Sequence, residues 1–180
     1  LKPANDGHIL HVLTSLPRYF YCHYSVPVAG QFLSYLDDQL EFLRQFEMPL
    51  LEKVKTCLDM SGSAEGWKVE ELLTSKGYLN NIAPKERGLW SLIAESCLCV
   101  CTHNSTVFLE TLSSNFPTII FWNPKLYEIS PEAQPFIDLL VDADILFYSP
   151  IKAAEKVKLV GDNVSEWWWS DTVQVAPKDF

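Results

Sequence analysis

The feature that most constrains the fold is the run Cys97-Leu-Cys-Val-Cys-Thr102, which has no polar residue before its last position except thiols. A strand with one solvated face alternates apolar and polar residues. This run does not alternate, so the strand is expected to be buried on both faces, as in a parallel sheet covered by helices. The next twenty residues agree. A polar turn, His103-Asn-Ser105, leads into a predicted helix over 106–114, Asn115-Phe-Pro117 stops it, and Thr118-Ile-Ile-Phe-Trp122 is a second apolar strand.

The same alternation of short apolar runs and helical periodicity extends through the chain. His8-Ile-Leu-His-Val-Leu-Thr14 reads as a strand, and the loop Ser15-Leu-Pro-Arg-Tyr19 after it is pinned by Pro17. From Gly30 to Phe46, Phe32, Leu33, Leu36, Leu40, Leu43 and Phe46 recur at helical spacing opposite Asp37, Asp38, Gln39, Glu41 and Arg44. Lys53 to Leu58 is a predicted strand, Asp59 to Gly66 a Gly- and Ser-rich loop, and Trp67 to Thr74 a short helix. Leu79 to Ile82 reads as a weak strand and Pro84 to Ser96 as a helix with Leu89, Leu92 and Ile93 on one face. Asn123 to Ser130 is a loop. Pro131 to Ala143 is then helical, Ile145 to Phe147 a strand, and Pro150 to Val160 a helix with Ala153, Ala154 and Val157 inward. The expectation is one α/β domain: a doubly wound, mostly parallel, Rossmann-like sheet with helices on both faces.

Composition narrows the function classes. The chain has 180 residues, room for one ordinary domain, and 48% of them are hydrophobic. Its net charge of −9 argues against a nucleic-acid footprint, which needs a basic face. A small anion is still compatible, because a helix N-terminus and one or two local cations can hold a phosphate on an acidic protein. No apolar run approaches a membrane span, and the polar opening Leu1-Lys-Pro-Ala-Asn-Asp-Gly7 lacks the apolar core of a signal peptide. Five cysteines, an odd number, fit a reducing compartment, and the chain reads as cytoplasmic. It starts without Met and reads as a fragment.

In a doubly wound sheet, ligands sit beyond the carboxyl ends of the strands at the point where strand order reverses. Ser15-Leu-Pro-Arg18 and His103-Asn-Ser-Thr106 both come directly after strands, so both are expected to face one crevice. Asn104, Ser105 and Thr106 open a helix, where unpaired backbone N–H groups and hydroxyls together suit a phosphate. The dipole contributes roughly 0.3–1 kcal/mol. Any of the three is equally suited to be a plain N-cap. Glu110 lies one turn later and can accept from ribose hydroxyls, or simply be solvated. Arg18 can chelate phosphate oxygens through two parallel hydrogen bonds, or stand free on the surface. His103 either donates to a diphosphate or bonds a backbone carbonyl. Lys125, in the loop after Trp122, either reaches the crevice or is solvated.

Ser105, Thr106, Glu110, Leu112, Pro117 and Ile119 match the form Ser-Ser/Thr-x-x-x-Glu-x-Leu with a later Pro-x-Ile. This resembles the donor-binding, C-terminal Rossmann-like domain of GT-B glycosyltransferases. More narrowly, Thr14-Ser-Leu-Pro-Arg-Tyr19, His103-Asn-Ser-Thr106, Pro117-Thr-Ile-Ile-Phe-Trp-Asn-Pro124 and Ser165-Glu-Trp-Trp168 look like a family of surface-carbohydrate transferases. The resemblance implies a nucleotide-sugar donor, or a related activated alcohol phosphate, with hydroxyls on the phosphates and Glu110 on the ribose. It also implies an acceptor-binding N-terminal domain outside this chain, which would supply the general base, and transfer without a metal or other cofactor. Two alternatives stay open: a nucleotide-sugar epimerase, or a binding or scaffold domain that keeps the fold without the chemistry. The loop Asp59 to Gly66, which has no basic residue, favours the scaffold.

Other constellations carry less. Cys97, Cys99, Cys101 and His103 suggest a metal, but residues two apart on a strand are roughly 6.5–7 Å apart. Zinc needs its ligand atoms within about 2.0–2.3 Å, so buried thiols are the expected reading. G-x-S-x-G, Walker and G-x-G-x-x-G patterns are absent from the sequence. The Trp167-Trp-Trp169 cluster is expected to anchor a terminal helix rather than stack a sugar.

Overall fold

The computed structural model describes residues 2–4, 6–16, 18, 26–58, 66–84 and 86–177. The five strands are β1 (His8–Val12), β2 (Val54–Cys57), β3 (Ser96–Cys101), β4 (Thr118–Phe121) and β5 (Leu146–Phe147). They form one all-parallel sheet in the order β2-β1-β3-β4-β5. The expectation of a Rossmann-like α/β domain is met, with no antiparallel member among the described strands. Both faces are covered, as the uniform burial of β3 and β4 requires.

On one face lie α1 (Gln31–Arg44), α3 (Val69–Ser75) and α7 (Pro150–Val160). Leu40, Phe42 and Leu43 of α1 and Ala153, Ala154 and Val157 of α7 pack there on Ile9, Leu98, Val100, Ile119 and Phe121. The two alanines, fully buried, let α7 approach the sheet closely. On the other face lie α4 (Leu89–Ala94), α5 (Thr106–Ser113), α6 (Gln134–Asp142), α8 (Val164–Trp168) and α9 (Asp171–Gln174). Phe108, Leu112, Ile137, Leu140 and Trp168 meet Leu10, Val12, Cys99, Cys101 and Ile120 there. A single turn, α2 (Leu50–Lys53), precedes β2.

Four sequence expectations change. Leu79 to Ile82 is not a strand: Leu79–Asn81 is a 3-10 turn, and Ile82 makes one isolated parallel bridge to Thr56. The predicted helix from Pro84 shortens to Leu89–Ala94. Ala83 N–H is still bonded to Thr56 O at 2.9 Å, which keeps the chain extended there, and Gly88 supplies the extended residue that opens the helix. Leu33 is 52% exposed, because neighbouring Phe32 takes the core-facing position of that turn. Finally, Cys97 does not share a face with Cys99 and Cys101. The β1–β3 register slips between His8, which pairs with Ser96, and Ile9, which pairs with Leu98. The extra residue turns Cys97 to the α1 face, whereas the thiols of Cys99 and Cys101 lie 3.7 Å apart on the opposite one.

The Trp cluster is divided. Trp168 is fully buried, and its indole N–H donates to the side-chain oxygen of Asn115 at 2.8 Å. Asn115 stands at φ 48°, a left-handed position that asparagine tolerates, and also bonds Gln174. The carboxyl end of α5 is thus tied to α8 and α9. Trp169 is exposed. No helix among the described residues is long and apolar enough to cross a membrane.

One buried polar group sits beneath α1. His11 is fully buried, with Nε2 3.0 Å from Gln39 Oε1 and Nδ1 3.2 Å from Thr56 Oγ1. Gln39 presents its oxygen because its amide nitrogen donates to Tyr35 O at 3.1 Å. The ring therefore carries its proton on Nε2 and accepts from Thr56 on Nδ1. Burial lowers its pKa from 6.5 to about 4, against the raising effect of the Gln39 hydrogen bond. The unfolded chain takes up this proton first, so the contribution is complete above pH 6.5 and lost as the pH falls toward 4. The expected loss is about 3 kcal/mol at full extent. Urea unfolding of wild type and His11→Gln across pH 4–7 tests it: the wild-type curve should fall more steeply with acid, and parallel curves would show that His11 does not titrate this way.

Candidate functional site

The strand order reverses between β1 and β3. From β1 the chain crosses through α1 to β2 on one side, whereas β3 continues through α5 and α6 to β4 and β5 on the other. Val12 and Cys101, the last residues of β1 and β3, are register partners. The Thr14–Arg18 loop and the Thr102–Ser105 turn therefore leave the sheet side by side, strands about 4.8 Å apart. The two loops singled out in the sequence bracket the switch point of the sheet, where doubly wound folds bind ligands.

A chain of hydroxyls holds the two loops together. Tyr35 reaches from α1 to the strand ends, where Thr14 N–H donates to its hydroxyl oxygen at 2.9 Å. Thr102 Oγ1 donates to Val12 O at 2.8 Å, so its own proton is committed. The 2.7 Å contact between Tyr35 OH and Thr102 Oγ1 is then donated by tyrosine. Tyr35 and Thr102 are buried, and burial is the main reason the tyrosine's pKa is raised. The hydroxyl stays protonated and keeps donating.

Ser105 is the N-cap of α5: it takes extended backbone angles and accepts from Val107 N–H at 3.4 Å. The cap alternative among Asn104, Ser105 and Thr106 is thereby settled in favour of Ser105 as the residue at that position. At 3.4 Å the bond is long, and the serine proton is available to another acceptor. Thr106 is the first helical residue and is exposed, as is Glu110 one turn on. His103 and Asn104 are half-buried in the turn. Asn104 also lines a pocket of about 410 Å³ between α5, the loop after β4 and α6, with Phe108, Leu109, Ile129, Phe136 and Ile137.

Arg18 is exposed, and its guanidinium carbon lies 5.4 Å from the centre of the Trp67 ring. Trp67 in turn packs on Phe32 of α1 at 5.6 Å. The aromatic face fixes the guanidinium plane and leaves its edge donors available. Pro17 and residues 59–65, most of the loop from Asp59 to Gly66, lie outside the described residues. Lys125 comes after β4 on the same sheet edge; its backbone N–H bonds Asn123 Oδ1 at 3.0 Å, and its side chain is exposed.

Sequence reasoning passed over Tyr35, Thr102 and Trp67. Tyr35 had a weak signal, standing three residues from Phe32 on the same helix. Trp67 lies in a loop, and only the fold shows what it faces.

A family model described as LIC12162 family transferase matches residues 1–180, the whole chain, and the chain belongs to this transferase family. No match to a curated protein is found.

Tyr35→Phe isolates the hydroxyl chain. It leaves Thr14 N–H without its acceptor and is expected to reduce stability by about 1–3 kcal/mol. Hydrogen exchange at the Thr14 amide should quicken beyond the global loss. Unchanged exchange there would show that the loop does not depend on Tyr35.

Proposed function

We propose that the chain is the donor-binding domain of a GT-B-type glycosyltransferase. The donor is a nucleotide-activated sugar, or a related activated alcohol phosphate, used in surface carbohydrate synthesis. The observation that carries this reading is the pairing of a capped helix start with an aromatic-backed arginine on adjacent strands at the reversal of strand order. Membership of a transferase family supports it at the level of reaction class.

In this reading the donor diphosphate lies across the strand ends. The first N–H groups of α5 and the hydroxyls of Ser105 and Thr106 hold one side, and Arg18 closes the other. As the bond between the sugar carbon and the diphosphate breaks, negative charge grows on the leaving group. These fixed donors stabilise that charge more strongly than the ground state, which is the catalytic contribution of the domain. Glu110 accepts from the ribose hydroxyls. His103, Asn104 and Lys125 complete the polar rim, and the 410 Å³ pocket has the size of a small-molecule site. The acceptor, and the base that takes its proton, belong to a further domain.

Calorimetric titration with UDP, CDP, GDP and ADP tests the reading. Saturable binding is expected for at least one, and Arg18→Ala or Thr106→Ala should weaken it about tenfold, equivalent to about 1.4 kcal/mol. Flat titrations for all four at millimolar ligand would overturn it in favour of a scaffold domain.

A further inference from the structure

The helix α5 turns two different faces to its surroundings. Successive residues of a helix are about 100° apart, so Thr106 and Glu110 lie within roughly 40° of each other. Both are exposed. Phe108 and Leu109 stand away from Glu110, by roughly 160° and 100° around the axis. Those two residues, with Asn104, form one wall of the pocket of about 410 Å³. Glu128, from the loop after β4, and Phe136 and Ile137, from α6, form the others.

The lining says what the pocket can hold. Phe108 and Ile137 are buried and give it an apolar base, whereas Leu109 is 42% and Phe136 45% exposed. Large apolar side chains left in water beside a cavity favour an occupant that covers them. Two polar groups stand among these walls. Asn104 offers an amide, donor and acceptor at once, and Glu128 a carboxylate, an acceptor only. Apolar walls with a few polar groups are the usual make-up of a small-molecule pocket.

We propose that this pocket holds the transferred group of the donor, and that the group is a neutral or amino sugar. With the diphosphate at Ser105 and Thr106 and the ribose at Glu110, the nucleoside runs along the exposed face of α5, away from the pocket. The substituent on the other phosphate is then the part that reaches it, past Asn104 beside the N-cap. A sugar ring packs its C–H faces on Phe136 and Leu109 and exchanges hydrogen bonds with the Asn104 amide. The Glu128 carboxylate accepts from a hydroxyl or an ammonium group and repels the carboxylate of an acidic sugar. A hydrocarbon chain would leave both polar groups unused. This inference rests on the donor-binding reading above.

Phe136→Ala and Glu128→Gln test it, since both change exposed side chains. Calorimetry measures the affinity of wild type and variants for the nucleoside diphosphate that binds best, its glucose conjugate and its glucuronate conjugate. Wild type should prefer the glucose conjugate to the glucuronate conjugate about fivefold, and Glu128→Gln should abolish that preference. Phe136→Ala should weaken the glucose conjugate about fivefold and leave the nucleoside diphosphate unchanged. An equal loss for the diphosphate and its conjugate would place the nucleoside in the pocket and overturn the proposal. Unchanged affinity of Phe136→Ala for both, or a glucuronate preference that Glu128→Gln does not alter, would overturn it as well. In each of these cases the donor-binding reading stands. Absence of binding by wild type to any nucleoside diphosphate would overturn that reading and this inference with it.

Discussion

Adjacent strands whose connections run in opposite directions cannot be closed over by one crossover, and the structure is organised around that constraint. β1 and β3 are neighbours, yet one feeds α1 toward β2 and the other feeds α5 toward β4. Their carboxyl ends therefore mark the switch point of the sheet, where folds of this kind bind ligands. What holds the two strand ends together is the run of hydrogen bonds from Thr14 N–H through Tyr35 and Thr102 to Val12 O. It joins a helix to two strands in a buried setting where each donor has one acceptor. In a low dielectric such a chain is rigid because breaking any member leaves a buried polar group unpaired.

The electrostatics are local. The chain carries −9 overall, and in the proposed donor site the positive character comes from Arg18 over Trp67 and from the first turn of α5. Asp37 and Asp38 belong to α1, not to the α5 turn.

The fold was largely legible because it rests on signals that survive without tertiary context. Uniform apolarity of Cys97–Cys101 required two covered faces, and Pro150 to Val160 carried both its start and its alanine face in sequence. The misreadings share a physical cause. Leu79 to Ile82 reads as a strand, but only Ile82 finds a bridge partner, Thr56, and Leu79–Asn81 closes into a 3-10 turn. Counting by twos gives Cys97 the face of Cys99, and the register slip at Ser96 breaks the count. For the site, the helix start at Ser105 and the loop of Arg18 were readable as turns after strands. Trp67 and Thr102 were not, because their relevance lies in what they approach: the Arg18 guanidinium and the Tyr35 hydroxyl.

The sequence by itself determined the class of fold, the places of all five strands along the chain and of the main helices between them, and the capped turn that begins α5. Those depend on burial periodicity and backbone capping, which act over a few residues. The spatial order of the strands was decided by packing over the whole chain, since the same alternation of elements permits several arrangements. That order set Val12 beside Cys101 and so set one loop beside the other. It also left the phenol of Tyr127 buried without a partner among the described residues, because a hydrogen bond needs two groups in space, and the sequence carries only their identities.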